Sequence, residues 1–84
     1  MAEEKLGVVE HYFGHIFVAA IKLEKDLKVG DTIHIKGHTT DFTQPIESIQ
    51  IEHNIVDKAG KGDDVGIKVK EHVRVHDLVY KVTD

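Results

Sequence analysis

Seven histidines in 84 residues are the first chemistry this chain offers. His11 and His15, His34 and His38, and His72 and His76 are each four apart, a spacing that on a helix sets two imidazoles on one face, ready for a metal ion. On a strand the same spacing separates two side chains by about 13 Å, too far to share an ion held at about 2 Å. No cysteine and no His-Glu-x-x-His string joins them. They are therefore expected as solvated surface groups, and neither a metal nor a cofactor is expected. Their charge still counts: with an ordinary pKa of about 6.5, they can cancel the formal net charge of −4 between pH 7 and pH 6.

Catalytic groupings are thin. Ser48 is the single serine and follows no nucleophile-elbow pattern. Asp63-Asp64 and Glu3-Glu4 are adjacent in sequence, not opposed across a cleft as acid–base pairs must be. The chain is expected not to be an enzyme. For binding, a polyanion would meet Lys36, Lys68 and Lys70, with Lys58, Lys61 and Lys81 as further cations. Ten lysines stand against one arginine, Arg74, although arginine is the usual bidentate reader of phosphate and guanine edges. The plainer reading of these lysines is a solvating cover on strands.

The elements that must position these groups are strands. Valine and isoleucine make up twenty residues and leucine four, a bias toward β-branched side chains that suit a pleated surface. Apolar and polar residues alternate along Thr32–Lys36 and Gly66–Lys70, which predicts Ile33, Ile35, Ile67 and Val69 inside. Strands are also predicted over Gly7–Tyr12, Phe17–Leu23, Glu47–His53 and Val79–Val82, and no helix. The longer connections, Lys36–Gln44 and Asn54–Asp64, are expected as loops able to meet a ligand.

One punctuation recurs ahead of strands: Leu27-x-x-Gly30-Asp31, Ala59-x-x-Gly62-Asp63 and Val73-x-x-His76-Asp77. Glycine supplies a positive φ and aspartate accepts from a nearby N–H just beyond, so each copy reads as a tight corner feeding a strand. Three corners among six strands predict a sheet that closes on itself, since closure removes exposed edges. Length, 40% apolar content and the absence of cysteine fit one small domain over residues 1–84, with residues 1–5 as a flexible tail, in a reducing cytoplasm. No segment reads as a signal h-region or a membrane span.

Three stretches in order, Leu27–Ile35 with Gly37, Pro45–Ile49 and Ala59–Ile67, resemble the second domain of elongation factor Tu and its relatives. The resemblance runs from Gly7 to Val82 and implies an all-β, six-stranded, closed antiparallel Greek-key barrel. His11-Tyr12-Phe13, Lys36–Phe42 and Gln50–His53 are similar to small stand-alone elongation-factor-like proteins and to the carboxy-terminal barrel of the collagenase-like peptidase family. No Gly-x-x-x-x-Gly-Lys-[Ser/Thr] loop is present, so no nucleotide is expected. By the first resemblance Glu47 falls where the factor meets a terminal adenine, and Asp64 where it has an asparagine near the aminoacyl group. Two functions follow. One is a translation elongation factor-like binding module that engages a tRNA end, ribosomal RNA or a translation-associated protein through Glu47, Lys58, Lys61, Asp64, Lys68 and Lys70. The other is a protein-interaction subunit for a larger collagenase-like peptidase.

Overall fold

The structure is a computed structural model that describes residues 2–83. Ten strands and no helix occur among them: β1 (Ala2–Phe13), β2 (Val18–Leu23), β3 (Leu27–Lys28), β4 (Thr32–Lys36), β5 (Asp41–Pro45), β6 (Ile49–Ile51), β7 (Asn54–Val56), β8 (Lys58–Ala59), β9 (Asp64–Lys68) and β10 (Leu78–Thr83). Eight form one sheet in the order β5-β4-β10-β1-β2-β9-β6-β7, every pair antiparallel, and β3 pairs with β8 separately. All six predicted strands are present. The count of six is corrected by β5, β7, β8 and β3, which lie wholly or mainly in stretches expected as loops or turns. The expected tail is corrected too, for Ala2–Lys5 are the start of β1 and pair with Lys81–Thr83 and Tyr80 of β10.

The core is built as the alternation requires. Ile33, Ile35, Ile67 and Val69 are at most 2% exposed, and with Leu6, Val9, Ile21, Ile49 and Val79 they fill the concave side of the sheet. β1 serves both halves of that sheet: its first half pairs with β10 and its second with β2. The switch requires two bulges, after Lys5 against β10 and after Val9 against β2, and each bends the strand. At the first, Leu6 and Gly7 are buried in succession, which breaks the strict alternation.

The ladder is not closed, and this corrects the closed barrel. β9 bonds to β2 on one side and, through Ile49 and Gln50 only, to β6 on the other. The N–H of Val69 donates to Phe17 O at 2.8 Å on the β2 side. In an extended chain the groups flanking it, Lys68 C=O and Lys70 N–H, must then point the other way, where β6 has already left. Gln44 of β5 occupies that gap. Its Nε2 donates to Lys68 O at 2.9 Å and its Oε1 accepts from Lys70 N–H at 2.8 Å. One buried side chain thus takes the place of a backbone ladder between β5 and the end of β9.

The three repeated corners share one geometry. Gly30, Gly62 and His76 have φ of 100°, 91° and 78°. Each following aspartate donates its own N–H to the carbonyl three residues back, on Lys28, Gly60 and Arg74. Each carboxylate accepts the N–H of that same residue, at 3.0, 2.9 and 2.9 Å. The side chain reaches backward, not onward as the sequence suggested, so the turn is locked from both its N–H and its C=O. A side chain at Gly62 would meet open space, so Gly62→Ala should lose only the backbone preference, about 1–2 kcal/mol. A Cβ at Gly7 would overlap the carbonyl oxygen of Lys22 across the β1–β2 pair. Urea unfolding should therefore show Gly7→Ala as the more damaging of the two, by more than about 2 kcal/mol in its own right, because backbone must move to admit it.

Candidate functional site

The six residues expected to bind a partner do not form one site. Glu47, Lys68 and Lys70 come together with Gln44, Pro45 and Val69 around a shallow cleft of about 170 Å³ over the β5–β9 gap. Lys58 lies in a different cleft, of about 600 Å³, beside the β3–β8 pair with Asp26, Asp31 and Lys81. Lys61 sits with Lys22 and Glu24 beyond the Gly62 corner. Asp64 stands at the rim of a fourth depression on the outer face of the sheet. A single cationic track is also broken at Lys81, whose Nζ lies 3.4 Å from Asp31 Oδ2 and 3.3 Å from Asp26 O, half-buried and already neutralised.

That fourth depression is apolar. Ala20 of β2 and Gly66 of β9 are register partners and make a floor of small residues. Phe13, Ile16 and Val18 of the β1–β2 hairpin form one wall, and Gln50 and His53 of the β6–β7 hairpin the other. The slot encloses about 340 Å³. Its depth depends on glycine, because a Cβ at Gly66 would project to within 3.3 Å of Val18 and fill the floor. Glu52 and His53, at φ of 49° and 69°, make the tight two-residue turn that joins β6 to β7. The strand predicted over Glu47–His53 therefore stops at Ile51. Phe13 and Ile16 are 40% and 52% exposed, values that no solvating role explains for two large apolar side chains side by side. Sequence reading missed this slot because its parts come from three distant segments. Its traces were Gly66 at an outward strand position and an isoleucine in a polar turn.

The histidines are dispersed, and no group of three or more His, Asp or Glu side chains suited to a metal occurs among the described residues. His11 lies against Phe13 and His72 against Tyr12, with ring centroids 4.5 and 4.7 Å apart. His34 alone is built into a polar cluster. Its Nδ1 lies 2.7 Å from Glu3 Oε2 and its Nε2 2.5 Å from Asp41 Oδ1. Ionised carboxylates only accept, so both ring nitrogens must carry protons for both bonds to form. The hydrogen bond His34 donates to Asp41, then the one it donates to Glu3, raises the His34 pKa above its ordinary value against the opposing effect of burial. The same bond holds the Asp41 carboxyl below its ordinary value. This clasp joins β1, β4 and β5 at the end of the molecule away from the slot.

No protein-family model matches the chain. It is 43% identical over 77 residues to an uncharacterized protease of Methanocaldococcus jannaschii, covering 90% of this chain and 19% of that protein. It is 42% identical over 72 residues to a collagenase of Porphyromonas gingivalis, covering 83% of this chain and 20% of the other. The chain therefore spans about a fifth of the length of the curated relatives it matches. Two crystal structures of the C-terminal domain of a Geobacillus thermoleovorans putative U32 peptidase superpose with TM-scores of 0.89 and 0.86 at 28% identity. They cover 95% and 90% of this chain, and the match takes in 93% and 96% of theirs. The collagenase-like side of the sequence resemblance is the one these relatives support. They overturn the expectation of a translation elongation factor-like module, since the proteins found are protease and collagenase chains and the C-terminal domain of a putative peptidase.

The His34 clasp carries a signed pH dependence. A histidine whose folded pKa lies above its unfolded value of about 6.5 contributes stability that is complete below that value and lost as pH rises through the folded one. Asp41, held below 3.8, loses its contribution as pH falls through its folded value. The gap in melting temperature between the wild type and His34→Gln should be widest at weakly acid pH and should close on the alkaline side. A gap that widened toward alkaline pH would contradict the clasp.

Proposed function

We propose that this chain is a non-catalytic accessory module of a collagenase-like, U32-type peptidase, acting by contact with the peptidase body. The observation that carries the reading is the pairing of extent and identity. More than two-fifths of positions are identical over more than four-fifths of this chain, while the match takes up only about a fifth of each curated relative. The unit that corresponds to this chain also takes up 93% and 96% of a crystallised C-terminal domain, which supports reading this fold as a separable piece of a larger protein.

The polar contacts support a scaffold role. Gln44 bridges strands, Asp31, Asp63 and Asp77 lock corners, and His34 ties three strands together. Each of these groups is engaged in holding the sheet, and none of them is poised beside a nucleophile. A chain without cysteine suits the reducing cytoplasm, which is the setting we assign to it.

The test is reconstitution. The part of the Methanocaldococcus jannaschii relative outside the matched segment is expressed alone and mixed with this chain. Calorimetry should show a one-to-one complex, and this chain alone should leave gelatin and small peptides uncut. Filter binding to tRNA should show no dependence of several units on log salt. Absence of a complex, or cleavage by this chain alone, would overturn the assignment.

A further inference from the structure

We propose that the cleft beside the β3–β8 pair binds a small zwitterion, a short peptide whose carboxylate lies between Lys28 and Lys58 and whose ammonium group meets Asp26. The two lysines are register partners. The N–H of Val29 donates to Asp57 O at 2.9 Å, while that of Lys28 turns away from β8 to Asp31 Oδ2. Lys28 and Lys58 therefore occupy a non-hydrogen-bonded position of the antiparallel ladder, where Cα atoms approach to about 4.5 Å and side chains are closest. Two like charges directly opposed there are unfavourable unless an opposite charge lies between them. The chain does not supply one. Acids outnumber lysine and arginine by fifteen to eleven, and Lys5, Lys25 and Lys81 have carboxylates at 3.3, 3.9 and 3.4 Å. Yet among the described residues neither Lys28 nor Lys58 takes part in an ion pair.

Three carboxylates line the same cleft, and two of them are committed. Asp31 holds the Lys28 N–H and Lys81, and Asp63 holds the Gly60 N–H. Asp26 is exposed and takes part in no ion pair among the described residues. Leu27 is buried between Asp26 and Lys28, so these two share the outer side, two residues and about 7 Å apart along the strand. The register sets Gly60 across from Asp26, where a Cβ would lie 3.4 Å from Asp26 Oδ1. The missing side chain leaves the space beside that carboxylate open. Lysines and acids around the cleft balance, three against three, so a ligand of one sign gains little and one that carries both is matched at both ends. An extended dipeptide sets its terminal charges about 7 Å apart, and a cleft of about 600 Å³ has room for it. The site belongs to this chain alone, so it stands or falls separately from the peptidase reading.

The test follows backbone amide NMR shifts of the full chain at about pH 7 while dialanine is added to about 50 mM. The amides of Lys28, Lys58 and Gly60 should shift and saturate with a dissociation constant of about 1–10 mM. N-acetyl-dialanine keeps only the carboxylate and dialanine amide only the ammonium, and each should bind at least about threefold more weakly. Lys28→Gln combined with Lys58→Gln should abolish saturation, and Asp26→Asn should weaken the binding of dialanine but not that of its acetylated form. Without ligand the double variant should melt no lower than the wild type, because the opposed charges are gone. A lower melting temperature would contradict the repulsion on which the site rests. No saturable shift, shifts that persist in the double variant, or equally tight binding of N-acetyl-dialanine or inorganic phosphate would overturn the proposal.

Discussion

A curled antiparallel sheet has to satisfy the backbone groups along its two end strands, because each unpaired N–H or C=O taken out of water costs as much as a lost hydrogen bond. Here the chain runs from β5, at one end of the sheet, directly into β6 near the other, so covalent continuity brings the ends together without pairing them. The amide of Gln44 fills the remaining gap. Glutamine is suited to this because its side chain carries both a donor and an acceptor, as a peptide group does. It is 7% exposed on the apolar side of β5, between Phe42 and Ile46. A buried amide in that position is costly unless bonded at both ends, and here it is. The shallow cleft of Glu47, Lys68 and Lys70 is the outer surface of the same junction.

The corners solve a second problem, that of turning a chain of 84 residues often enough to wrap its own core. The three aspartates do this locally and identically, each closing a ring with the residue three before it. Two of the corners also reach further into the fold. Asp31 takes Lys81 of β10 as a partner. Asp77, 5% exposed, lies so close over Gly37 that a side chain there would overlap its carboxylate. Gly37 is therefore required by a residue forty positions away, and its role belongs to packing.

Much of this was legible in the sequence. The alternation of Ile33, Ile35, Ile67 and Val69 gave the inward face, and the Gly-Asp spacing gave the corners. What stayed hidden was hidden for physical reasons. In Asp41–Pro45 the inward position is filled by glutamine, so the strand lacks the apolar period that marks its neighbours. The β6–β7 hairpin turns on Glu52-His53, both at positive φ, and no glycine announces it. The candidate binding residues scattered because Glu47 and Asp64 were grouped by resemblance to another protein's ligand site and the lysines by charge alone, while the fold distributes these positions over four separate clefts. The slot, by contrast, is carried by absences: a missing Cβ at Gly66 and short Ala20, read only once the strands are side by side.

The fold and the proposed contact role meet at a division of labour. One end of the molecule, with both ends of the described chain and the His34 clasp, is tied by polar contacts; the other presents an apolar face on a rigid sheet. The proposed contact role requires that rigidity, and the rigidity depends on the Gln44 bridge. Amide hydrogen exchange at Lys70 tests that dependence directly. In the wild type its N–H should exchange as slowly as the core amides of β9, and in Gln44→Leu it should exchange at least about tenfold faster while Ile67 stays protected. Equal protection of Lys70 in both proteins would show that the sheet is held together without the glutamine and would contradict the account.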